Sequence, residues 1–175
     1  MRPAIDLLSQ YALYHRDRRN IASHFVGVPM IVFAIGVLLS RPAFSLGTLA
    51  LTPAWVAFSL AAAWYLTRGA LLLGIAVSAA VGLLLLAAHQ VGGSGVVAWL
   101  AWGVSFFVVG WVIQFIGHWY EGKKPAFVDD IIGLLVGPMF ITAEALFALG
   151  WGKPLLQEIE RRAGPTQLRD LARIA

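Results

Sequence analysis

The chain has no cysteine. That excludes disulfides and thiolate metal sites, and leaves imidazole, carboxylate and amide as the ligands of any metal. Charge is scarce as well: Asp, Glu, Lys and Arg make up 13% of the 175 residues, against 59% hydrophobic. No glycine-rich phosphate cradle, nucleophile elbow or HExxH pair occurs, which counts against nucleotide use, serine hydrolysis and zincin proteolysis. There is no internal repeat. A cleavable leader is not expected either, because Tyr14-His15-Arg16-Asp17-Arg18-Arg19 follows a weakly amphipathic stretch and no apolar core precedes a small-residue cleavage site.

What fills the chain is hydrocarbon. Apolar runs near Phe25–Leu39, Leu46–Leu66, Ala70–Ala88 and Val96–Gly117 each approach the ~20 residues that cross a ~30 Å bilayer core. A fifth run, Ile131–Leu149, is interrupted by Gly137-Pro138 and carries Glu144, so it reads as a broken or re-entrant segment. The expected fold is all-α: an integral membrane bundle of four transmembrane helices plus that fifth segment, with interfacial helices at both termini. One domain is expected, with residues 1–20 an interfacial helix, 21–150 the bundle and 151–175 a cytoplasmic surface helix.

The net charge is +4, but the basic residues flank the apolar runs instead of forming one patch, so nucleic acid is not the expected partner. They report topology instead. Arg16, Arg18 and Arg19 precede helix one, Arg68 separates helices two and three, and Lys123 and Lys124 follow helix four, which places all three segments on the cytoplasmic face by the positive-inside rule. Arg161, Arg162, Arg169 and Arg173 place the C-terminal stretch there too, provided the fifth segment dips and returns.

The stretch from Gln114 to Pro125 holds most of the chemistry. Gln114, His118 and Glu121 recur at spacings of four and three, which stacks an amide, an imidazole and a carboxylate on one helix face. Gly103, Gly110 and Gly117 run beside them at seven-residue spacing. Small residues let membrane helices approach closely, so the polar stripe is expected to face another helix. Polar groups at membrane depth face the bundle interior and pair with something.

The N-terminal region offers the partner. Pro3 to His15 reads as a short helix with His15 prolonging its apolar face. His24 lies nine residues further on, about two and a half turns, so in one straight helix the two rings point apart. To share a site, the chain must bend between them, and Asp17 or Asn20 would cap the helix that follows. His15, His24 and His118, with a nearby carboxylate, then form a plausible set for iron or zinc. The competing reading is three interfacial histidines, each with its own hydrogen bond. His89 ends helix three and should emerge on the opposite face, so it is left out. Glu144 would partner a histidine N–H, a lysine or backbone.

Tyr14-His15, Asn20, His24 and Pro29, followed by Gly110-Trp111, Gln114-Phe115, Gly117-His118, Glu121, Pro125-Ala126 and Asp129, together resemble the membrane 2-hydroxy fatty acid dioxygenase family, whose yeast member acts in phytosphingosine breakdown. The resemblance covers about Tyr11 to Gly150. It implies an Fe(II)-dependent enzyme that takes a 2-hydroxy fatty acid and O2 to a fatty acid one carbon shorter plus CO2. It also implies His15, His24 and His118 as iron ligands, and Glu121, Asn20 and Gln114 as catalytic candidates, with Asp129 a further motif position. Lys123 and Lys124 are placed to hold an anionic head group. Such an enzyme would sit in a bacterial inner membrane, or in the endoplasmic reticulum if eukaryotic, with its site on the cytoplasmic face. Two other functions fit the residues: a haem-binding electron carrier with axial histidines, and a non-catalytic lipid-binding protein whose polar stripe only joins helices.

Overall fold

The computed structural model describes residues 2–41, 43–46 and 49–171; Pro42 and Arg173 lie outside them. Among the described residues, the fold is helical apart from one small hairpin. Helix α1 (Ala4–Ala12) is followed by a bend, then by α2 (Arg18–Leu39). A two-stranded antiparallel hairpin, β1 (Phe44–Leu46) and β2 (Leu49–Leu51), leads to α3 (Pro53–Leu66), α4 (Leu71–Gly92) and α5 (Val96–Glu121). A 3₁₀ turn (Ala126–Val128), α6 (Gly133–Ala148) and α7 (Lys153–Ala163) complete it.

Among the described residues, α2, α4 and α5 are long and apolar enough to cross a membrane. Their outer faces carry apolar side chains left exposed, among them Leu72, Leu83, Val97, Phe115 and Trp119, a surface suited to lipid. The run expected to span from Leu46 to Leu66 does not form one helix. Thr52 is extended, with φ −116° and ψ 158°, as the residue before a proline tends to be. Pro53 then occupies the first turn, where its missing N–H costs nothing. The apolar residues upstream pair as a hairpin, and α3 keeps 14 residues, about 21 Å at 1.5 Å per residue.

Gly137-Pro138 does not break the fifth segment either. Pro138 sits inside α6, where its missing N–H frees only the carbonyl of Leu134 four residues earlier. The break comes later, where α6 and α7 meet at 120°. Gly150, at φ +86°, lets its N–H reach Phe147 O at 2.9 Å while Trp151 N–H reaches Leu146 O at 2.9 Å, the paired bonds of a Schellman stop.

Helices α2 and α5 form the tightest pair, and they run antiparallel. A Cβ on Gly27 would come within 2.9 Å of Gly110 O, and one on Gly117 within 2.6 Å of Asn20 Oδ1. The expected glycine strip is therefore a close-packed seam along α2, reaching its backbone at Gly110 and its side chains at Gly103 and Gly117. At the end of the bundle where α2 begins, Ala4 N–H bonds Arg68 O, Lys123 Nζ reaches Leu13 O at 2.6 Å, and Arg162 pairs with Asp6 at 2.7 Å. The basic clusters read as one topological side thus do converge.

Candidate metal centre

The bend between α1 and α2 is built by capping. Helix α1 stops at Ala12, three residues short of the expected His15, and Asp17 caps α2 by accepting from Arg19 N–H at 2.8 Å. Asn20 is not the cap; it is turned fully inward. Burial pushes the Asp17 carboxyl up, but hydrogen bonds from the Arg19 side chain and from the backbone N–H groups of Arg169 and Arg19 outweigh it and hold it at about 2.

Glu121, from the last turn of α5, clamps the bend in place. Its two oxygens accept from Arg16 N–H at 3.0 Å each, and Oε2 also accepts from Asp17 N–H at 2.8 Å and Asn20 Nδ2 at 3.1 Å. A carboxylate so occupied fixes the direction of the segment that carries His15. The chain after α7 adds a second clasp: Arg18 N–H bonds Gln167 O at 3.0 Å, Gln167 N–H bonds Arg16 O at 2.9 Å, and Arg169 N–H bonds Asp17 Oδ2 at 2.8 Å.

The result brings His15, His24 and His118 together. All three are buried, and each offers one ligand atom within 4.8 Å of the others. His15 Nδ1 faces Tyr11 O at 2.7 Å and His24 Nδ1 faces Asn20 O at 2.9 Å. A carbonyl only accepts, so both Nδ1 atoms carry hydrogen, and both Nε2 atoms present lone pairs. Those Nε2 atoms face each other at 3.0 Å. Burial, with the neighbouring His24 and His118 rings, holds His15 well below the usual imidazole range, so a proton is a poor candidate for the space between them. A metal ion fits: two nitrogens at ~2.1 Å from one ion and at right angles lie ~3.0 Å apart. Nδ1–H bonded to a backbone carbonyl is also the usual outer support of a ligating histidine.

Among the described residues, three of the buried polar atoms without a hydrogen-bond partner belong to this region: Asn20 Oδ1, Gln114 Oε1 and His118 Nδ1. Each such atom costs about 1–3 kcal/mol if left unsatisfied, and their clustering marks a place where something binds. A cavity of about 320 Å³ opens beside them, lined by Tyr11, His24, Gln114 and His118 at its polar end and otherwise by apolar side chains of α2, α5, α6 and the 3₁₀ turn with Pro125 before it.

Other expected residues fall elsewhere. Glu144 lies 3.7 Å from Arg16 instead of near a histidine N–H. Lys124 pairs with Asp129 at 2.6 Å, and neither it nor Lys123 lines the cavity. His89 bonds Leu85 O at 2.8 Å and Thr52 Oγ1 at 2.9 Å, apart from the cluster. The residue the sequence reading passed over is Tyr11. It stacks on His15 with centroids 4.0 Å apart and lines the cavity. Its spacing of four from His15 was the available signal.

Residues 1–149 match the family described as 2-hydroxy-palmitic acid dioxygenase Mpo1-like. The chain belongs to the Mpo1-like family. It is also 32% identical over 162 residues to the 2-hydroxy-palmitic acid dioxygenase MPO1 of Saccharomyces cerevisiae, covering 89% of this chain and 88% of that protein. No solved structure matches. Membership of the Mpo1-like family supports an oxygenase of lipid metabolism, and the three-histidine group is compatible with a metal. The 3.0 Å approach of His15 and His24 leaves no room for a macrocycle between them, which weighs against haem.

Proposed function

We propose that this protein is an Fe(II)-dependent dioxygenase that converts a 2-hydroxy fatty acid and O2 to the fatty acid one carbon shorter, CO2 and water. The observation that carries the reading is the pair of facing Nε2 lone pairs of His15 and His24, the latter lining the polar end of an apolar cavity. The equation balances without another reductant: the 2-hydroxy acid gives up four electrons as C1 leaves as CO2 and C2 becomes a carboxyl, and O2 accepts all four. Iron(II) held by His15, His24 and His118 would supply the binding and activation of O2.

The chain's own groups do the rest. Gln114 Oε1 accepts from the substrate's 2-hydroxyl, which relieves its burial without a partner. Burial pushes the Tyr11 phenol up, so it stays protonated and donates to the substrate carboxylate. Asn20 and Glu121 position His15 through the bend. Lys123 and Lys124, in the turn just before Pro125, draw the anionic head group toward the cavity. In this reading α2, α4 and α5 cross the membrane, α3 is a fourth and shorter crossing, and α6 enters before the chain turns back at Gly150 and Gly152. Helix α7 then returns to lie with α1 at the interface, and the site faces the cytoplasm.

The test is anaerobic iron loading of the purified protein, followed by 2-hydroxypalmitate and O2. One O2 consumed, one CO2 released and one pentadecanoate formed per substrate is the expected outcome, lost in His118→Ala. An intense Soret band would point instead to haem. Metal-free protein with no turnover would point to a lipid-binding role.

A further inference from the structure

A second cavity of about 220 Å³ lies between α2, α3, α4 and α6. It shares Val32, Ile35, Leu134 and Pro138 with the first cavity, so the two meet at these four side chains. Its walls are apolar, and the hydroxyl of Tyr65 at its edge is already committed to Leu135 O at 2.9 Å. The first cavity has a polar end; the second has none. We propose that the second cavity is the tail subsite of the substrate's acyl chain, and that the Val32–Leu134 junction and the α3 wall set the longest chain accepted. This rests on the dioxygenase reading above.

Helix α2 serves as the ruler. Its residues on the first cavity run from His24 to Ile35, about 16 Å at 1.5 Å per residue. On the second they continue to Leu39, about 22 Å from His24 by the same rise. An all-trans chain of ~1.52 Å carbon–carbon bonds at tetrahedral angles advances about 1.25 Å per carbon. The first cavity alone therefore takes about 13 carbons, and the two together about 18. Bilayer hydrocarbon and the slot are equally apolar, so an added methylene gains little on entering. Discrimination is steric: chains are accepted up to the length that fits and refused beyond it.

The experiment measures kcat/KM for 2-hydroxy acids of 10 to 20 carbons, and in parallel the displacement of labelled palmitate by unhydroxylated fatty acids of the same lengths. It compares wild-type protein with Val32→Phe at the junction and Ala61→Phe, which enters the second cavity only, from α3. Wild type should fall off beyond about 18 carbons. Ala61→Phe should lose tenfold or more on 16 carbons while 12-carbon acids stay within about threefold, which also shows that it folds; Val32→Phe, about 12 Å along α2 from His24, should lower the limit further, to about 10 carbons. If Ala61→Phe, active on 12 carbons, still handles 16 carbons as wild type does, the tail subsite is refuted. If no hydroxy acid turns over but displacement still shows the length limit and its shift, the subsite stands and the reaction assignment falls.

Discussion

Replacing Glu121 by alanine removes the acceptor for two buried backbone N–H groups, those of Arg16 and Asp17, and for the Asn20 amide. Each abandoned N–H costs about 1–3 kcal/mol, and a charged acceptor puts these bonds at the upper end, so Glu121→Ala should loosen the bend by about 3–5 kcal/mol. Glutamine is milder. Its carbonyl can keep the Oε2 position, which serves Asp17 and Asn20, and only one arm of the Arg16 bond and the charge are lost, about 1–2 kcal/mol. Because His15 is aimed by this bend, the loss should appear in metal affinity: about tenfold for glutamine and hundredfold or more for alanine, at 1.4 kcal/mol per decade. Competition with a chromogenic chelator, alongside thermal unfolding in detergent, reads both quantities. Wild-type affinity in the alanine variant would refute the clamp.

His15→Ala, His24→Ala and His118→Ala should each abolish stoichiometric metal, while His89→Gln, which touches none of the cluster, should leave it intact by elemental analysis. Tyr11→Phe should bind metal normally and lose tenfold or more in kcat/KM for a 2-hydroxy acid. Gly117→Val drives a side chain into Asn20 and Ser23 across the α2–α5 seam, and should cost at least the 1–3 kcal/mol of an overpacked core, seen as a lowered melting temperature. Asp17, held at about 2 in the fold, has a lowered folded-state pKa, so its contribution is present above about pH 4 and is lost as the pH falls towards 2. Asp17→Asn should be less stable near neutrality and show a flatter acid limb in pH-dependent unfolding.

The helical stripe of α5, the glycine seam and the need for a bend near Asp17 were all legible, because each is a local spacing fixed by helix geometry. The meeting of His15 with His24 was legible only as a requirement. What the spacing could not show was its cause, a carboxylate 105 positions away from Arg16 accepting backbone hydrogens. Glu121 read as a member of a polar row, whereas its oxygens are consumed in holding the loop. Helix α3 is shorter than its apolar run because hydropathy does not register that a residue before proline turns extended. Gly137-Pro138 reads as the interruption of the fifth segment because proline breaks helices, yet Gly150 and Gly152, with positive φ, make the turn. Tyr11 was missed because an aromatic on an apolar face reads as packing.

The pairing of Gln167 and Arg169 with the Arg16–Arg18 hinge has a bearing on assembly. A ribosome has emitted every helix of the bundle before that latch can form, although each histidine of the cluster was made long before. The hinge that carries His15 is thus fastened only after α7 has been made, when the rest of the bundle is there for it to close against.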